Sequence, residues 1–122
     1  MTGIIYVALG GALGAVGRYL ISLIPVNTAF PILTLITNLL GAVLIGFIAG
    51  LMAADEKFSS NAGLFWKTGV CGGFTTFSTF SLESLTLLEQ GKVTEGVLYM
   101  VLSVVCCIIG VIAGRMLATT VK

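Results

Sequence analysis

Gly69-Val70-Cys71-Gly72-Gly73-Phe74-Thr75-Thr76-Phe77-Ser78-Thr79-Phe80-Ser81 lies in the middle of an apolar segment long enough to cross a bilayer, yet its composition argues against one continuous helix. A glycine pair followed by β-branched threonines is a poor helix interior. Carbonyls freed at such a break cannot stay unpaired in hydrocarbon, so the break must be buried in protein or face water or an ion. A kink satisfied by the Ser and Thr hydroxyls is the alternative account. The segment runs from about 63 to 88 and predicts a third membrane helix broken near the midplane, a feature tied to ion coordination in membrane proteins.

Outward from this stretch the chain divides into apolar runs and short polar turns. The first span is expected over 3–24, interrupted by Arg18 and closed by Pro25-Val26-Asn27. It opens with no basic residue and meets no small-residue cleavage site, which predicts a retained span and not a signal peptide. The second is expected over 31–54, with Pro31 in the first helical turn, where its missing N–H is harmless. A polar loop then holds Asp55-Glu56-Lys57 and Ser59-Ser60-Asn61. A second loop holds Glu89 to Lys92, and the fourth span covers about 94–118.

Composition leaves no other class open. Of the 122 residues, 57% are hydrophobic and only 9% charged, with a mean hydropathy of +1.13, against about 25% charged in soluble domains. At ~20 residues per crossing, four spans use the length and leave no room for a soluble domain. The expected fold is therefore an all-α membrane protein, one four-helix transmembrane domain over 1–122. Six Lys+Arg against five Asp+Glu, with no basic block, exclude a nucleic-acid partner and a polybasic lipid patch. The absence of histidine excludes a histidine triad. Cys71, Cys106 and Cys107 sit inside apolar stretches without metal-ligand spacing and read as small packing residues.

Orientation is weakly specified. Lys57, Lys67, Arg115 and Lys122 fall on the side of the termini, against Arg18 and Lys92 on the other, so the positive-inside bias is slight. A chain able to insert both ways would pair as an antiparallel homodimer about a two-fold axis in the membrane plane. Small residues one turn apart, Gly10 with Gly14, Gly46 with Gly50 and Gly110 with Gly114, permit close helix packing.

Polar residues within the spans form stripes. Thr34, Thr37, Asn38 and Gly41 share one face of the second span, and the Asn38 amide must bond either to a neighbouring helix or to a permeating species. Tyr99, Ser103 and Cys107 share a face of the fourth, read either as an interface tyrosine with a harmless serine or as donors along a path. Phe77 and Phe80 share a face beyond the break, among the hydroxyls of Ser78, Thr79 and Ser81. Such a pair is commonly core, yet the positive edges of aromatic rings could also solvate an anion without a fixed cation. Arg18 and Glu83 are the charges nearest the membrane interior; snorkelling to the headgroups competes with a functional role.

Taken together, Gly10-Gly11-Ala12-Leu13-Gly14-Ala15 with Arg18-Tyr19, Thr37-Asn38 leading to Gly41, and Gly72-Gly73-Phe74-Thr75-Thr76-Phe77-Ser78-Thr79-Phe80-Ser81 with Glu83 resemble the CrcB/Fluc family of fluoride channels over essentially the whole chain. The resemblance implies a dual-topology homodimer in the cell membrane, the inner membrane of a bacterium, with two fluoride pores that each draw on both subunits. It implies a structural sodium ion at the dimer interface, held by backbone carbonyls of Gly72 and Thr75. It also implies that Phe77 and Phe80 line the pore by their ring edges and that Asn38 is its asparagine. Thr34, Ser78, Thr79, Tyr99 and Ser103 would form a polar track, with Arg18 in the vestibule and Glu83 at the far end of the broken helix. Cys107 departs from the pattern where the hydroxyl stripe would continue. A small multidrug-resistance-type exporter has the same length and helix count but needs a carboxylate in its first span. The carboxylates here are Asp55, Glu56, Glu83, Glu89 and Glu95. A purely structural membrane protein would leave Asn38 and the threonine-rich break without purpose.

Overall fold

The computed structural model describes residues 1–54 and 58–121, and every element among them is helical. Helix α1 spans Thr2–Ser22, α2 Ile32–Ala54, α3 Ser60–Gly63, α4 Gly72–Phe74, α5 Phe77–Glu89 and α6 Val93–Thr120; a π-helical stretch, Leu64–Cys71, joins α3 to α4. Three of them, α1, α2 and α6, are long and apolar enough to cross a membrane. Their outer faces carry exposed Ile4, Leu9, Leu13, Val101, Val105, Ile108 and Ile112, a surface that suits lipid and not water.

Helix ends follow local chemistry. Leu23 and Ile24 close α1 with bonds to the Leu20 and Ile21 carbonyls, and Pro25 then bars continuation. Pro31 precedes α2 instead of lying in its first turn: its carbonyl accepts from Leu35 N–H, so it occupies the capping position, where a missing N–H is equally harmless. The expected polar loop at Ser59-Ser60-Asn61 is instead the start of a helix, because the Ser59 hydroxyl accepts from Ala62 N–H at 3.1 Å and caps α3. Its companion residues Asp55, Glu56 and Lys57 lie outside the described residues, as does Lys122. At the other end of the third segment, Gly91 takes φ +77°, and Lys92 N–H returns to the Leu87 carbonyl, the glycine-terminated turn that reverses the chain into α6.

The glycines sort the helices into two close pairs. A Cβ on Gly14 would overlap the Val70 carbonyl oxygen and reach Phe74 N at 2.7 Å, so α1 lies with its backbone against the third segment. A Cβ on Gly114 would overlap the Val43 carbonyl oxygen and reach Phe47 N at 2.7 Å, which presses α6 against α2. Both contacts are of the small-residue kind that lets membrane helices pack without a hydrophobic driving force.

Candidate functional site

The third segment supplies the centre of the site. Thr75 (φ −87°, ψ 156°) and Thr76 (φ −147°, ψ 119°) are extended between α4 and α5. Thr75 keeps its N–H on the Cys71 carbonyl at 3.0 Å and adds its hydroxyl to the same oxygen at 2.8 Å. The Thr76 hydroxyl accepts from Thr79 N–H at 3.2 Å and so caps α5. One threonine ends a helix and the next begins another.

Asn38 holds this break from α2. Its Oδ1 accepts from Thr76 N–H at 2.8 Å and its Nδ2 donates to the Thr76 carbonyl at 3.2 Å, the two-bond exchange that a neighbouring strand would otherwise make. Arg18 reaches across from α1 and donates Nε–H to the Gly73 carbonyl at 3.3 Å, taking up an oxygen that a continuing helix would have paired. That bond ties the Arg18 side chain to the backbone of the third segment.

A second cluster lies one turn and more along α5. Glu83 Oε2 accepts from the Thr34 hydroxyl and Oε1 from the Tyr99 hydroxyl, each at 3.1 Å, so a single half-buried carboxylate ties α2, α5 and α6 together. Tyr99 is fully buried. Between this cluster and the break runs a series of rings. Phe77 and Phe80 have centroids 5.5 Å apart, Phe80 and Tyr99 5.2 Å, and Tyr99 meets Phe30 edge-on at 5.5 Å and 80°. Phe30 escapes the sequence reading. In Ala29-Phe30-Pro31 it looks like an ordinary apolar residue before a helix start, and only the approach of α6 places it on Tyr99.

Two cavities divide the remaining candidates. A cleft of about 330 Å³ is bordered by Asn38, Phe77, Phe80, Ser103, Cys71 and Cys107. Phe77 stands 78% exposed beside it, while Ser103 is buried with no hydrogen-bond partner for its hydroxyl among the described residues. Thr79 points away from this cleft, into a small cavity of about 70 Å³ shared with Arg18, Thr34 and Thr37. Thr37, the most buried of that stripe, is spent on its own helix, donating to the Leu33 carbonyl at 2.7 Å. Ser78 is exposed and 3.4 Å from the Thr76 hydroxyl. Of the polar residues expected in one track, Ser103 borders the first cavity and Thr34 and Thr79 the second; Thr76 borders both. Among the described residues no group of three or more His, Cys, Asp or Glu side chains is placed to hold a metal ion.

Long apolar helices, with an amide, hydroxyls and aromatic rings gathered where the third segment is extended at Thr75-Thr76, define a small multi-pass membrane protein. The chain belongs to the CrcB family: the family described as CrcB-like protein, Camphor Resistance (CrcB), matches residues 5–115. Among its relatives, a Ruminiclostridium cellulolyticum protein named "Fluoride-specific ion channel FluC" is 46% identical, over 99% of this chain and 95% of its own. Proteins of the same name from Clostridium perfringens, 46% identical over 92% of this chain and 90% of theirs, and from Nitrobacter winogradskyi, 44% identical over 93% and 92%, are also similar.

Proposed function

We propose that this protein is a fluoride-selective channel that lets fluoride leave the cell passively. The observation that carries the reading is the series Phe77, Phe80, Tyr99 beside the Asn38-held break: ring edges, hydroxyls and an amide offer a small anion partial positive charge with no fixed lysine among them. Conduction needs sites that bind well enough for entry and weakly enough for exit, and neutral donors meet that condition better than an ion pair would. An inside-negative potential drives an anion outward by about 2.3 kcal/mol per charge per 100 mV, so no coupled pump is required. The relatives' names point the same way.

In this reading the third segment is the fourth membrane crossing, broken at Thr75-Thr76, and the working unit is an antiparallel dual-topology homodimer in the cell membrane, the inner membrane in bacteria. Phe77, exposed in the single chain, and the Ser103 hydroxyl, left without a partner, are the groups a second copy and a permeating ion would complete.

The break also suits the proposed sodium ion. The Gly72 carbonyl loses its helical donor because Thr76 N–H goes to Asn38, and the Thr75 carbonyl loses its own because Thr79 N–H goes to the Thr76 hydroxyl. Gly72 is exposed, with no atom within 4 Å of where a Cβ would stand. Two hard oxygens at the negative end of a helix favour a cation, and a second copy would double the set. When bound, sodium would fix the two breaks against each other.

Purified protein in liposomes should release fluoride down its gradient with chloride release far smaller. Equal rates for the two anions would reject the channel reading. Topology is tested separately: Thr120→Cys in a background lacking the native cysteines should be labelled from both sides of the membrane, given the slight positive-inside bias. Labelling from one side alone would reject dual insertion.

A further inference from the structure

The cleft beside the break holds more than the channel reading uses. Ser103 is only 6% exposed, and its hydroxyl has no hydrogen-bond partner among the described residues. An unpartnered buried hydroxyl is costly, so a group able to reach its oxygen would be held there. One helical turn further on α6, Cys107 borders the same cleft, and Cys71 borders it from the π-helical side; neighbouring Cys106 does not. All three are free thiols.

From this arrangement we infer a binding site for a soft monovalent cation, with the Cys107 sulfur as principal ligand, the Ser103 hydroxyl oxygen as a second and the Cys71 thiol, which borders the same cleft, as a third. The thiol S–H bond breaks, its proton leaves to water, and a sulfur–metal bond forms, with no change of oxidation state. Thiolate sulfur selects soft ions such as monovalent copper or silver over sodium, potassium or magnesium. Charge selects the valence. With the Cys71 thiol keeping its proton, one thiolate and one monovalent cation are neutral together, whereas a divalent ion would leave a net charge in surroundings of low dielectric. Because Asn38, Phe77 and Phe80 border the same space, an ion seated there obstructs the proposed fluoride path. The flux consequence rests on that reading; the binding does not.

Silver, supplied as its nitrate in chloride-free buffer, is the probe. Held at about ten times its dissociation constant, it should cut fluoride efflux from liposomes about tenfold by occupancy alone. Excess small thiol should restore the flux. Cys107→Ser, each measurement scaled to its own silver-free flux, should lose the inhibition, and Cys106→Ser should keep it. Intact-mass measurement of the purified protein supplies a readout independent of conduction: the parent and Cys106→Ser should carry silver, and Cys107→Ser should not. Protection of Cys107 by silver against maleimide labelling serves if Cys107→Ser does not fold. A parent that takes up no silver, silver retained by Cys107→Ser, absence of labelling protection, or a conducting parent that silver leaves uninhibited would each overturn the site. Should the parent carry no fluoride at all, the channel reading fails while the mass and labelling results still decide this one.

Discussion

Phe77→Ile should lower fluoride flux by tenfold or more while leaving a folded protein with a near-parental denaturation midpoint. In the single chain Phe77 is 78% exposed, with the Phe80 ring 5.5 Å from its own, so little packing within the subunit depends on it. Isoleucine keeps apolar bulk but has no electropositive edge. If the ring edge replaces part of the anion's hydration, its loss raises the barrier, and ~1.4 kcal/mol of barrier is already tenfold in rate. Phe80→Ile should cost at least as much flux, with some loss of stability besides, since Phe80 also packs on the buried Tyr99 at 5.2 Å. Liposome efflux and thermal denaturation on the same preparations separate the two effects. Parental flux in both variants would return the rings to a packing role.

Asn38→Leu should damage both fold and flux. Side-chain hydrogen bonds between membrane helices average only ~0.6 kcal/mol, because partners in the unfolded state find substitutes. Asn38 holds main-chain groups at a break, and these have no rotamer with which to seek another partner. The cost expected is therefore nearer the ~1–3 kcal/mol of a buried group left unsatisfied. Some of it is recoverable, since Thr76 N–H could return to the Gly72 carbonyl if the helix closed over the break. That repair would itself remove the carbonyl geometry on which the proposed cation site depends. Asn38→Asp discriminates further: it keeps an acceptor for Thr76 N–H, loses the donor to the Thr76 carbonyl and places a negative charge beside an anion path. Its flux should fall below that of Asn38→Leu. Asn38→Leu protein with the parental denaturation midpoint and parental efflux would show that the clamp matters to neither.

Several features were legible without coordinates because they depend on local or summed properties. Hydropathy located the long helices α1, α2 and α6 to within one or two residues, since the bilayer's thickness sets a length that composition alone can match. The unfitness of Gly72-Gly73-Phe74-Thr75-Thr76 for a helix interior follows from glycine entropy and β-branching, and the chain is extended at Thr75 and Thr76. The small-residue pairs foretold close packing, though not which helix each would meet. Ser60 and Asn61, expected in a loop, begin α3 behind the Ser59 cap, because a serine before a helix and a serine in a turn look alike until the following N–H groups are placed.

Partnership was decided by the tertiary structure. Sequence could state that the Asn38 amide must bond to something; only the approach of α2 to the break assigned both of its ends to Thr76. Helical periodicity could place Thr34, Glu83 and Tyr99 on faces of three separate helices, but their meeting at one carboxylate is a contact between residues 49 and 16 positions apart in the chain. The same holds for Arg18 on the Gly73 carbonyl, for Phe30 on Tyr99, and for Cys71 and Cys107 around one cleft. Membrane insertion and helix length arise from the chemistry of each segment against lipid, which the order of residues records directly. The site arises from which helix faces which, and in a bilayer that choice is made by backbone approach at Gly14 against the third segment and Gly114 against α2, a matter of shape that no single segment contains.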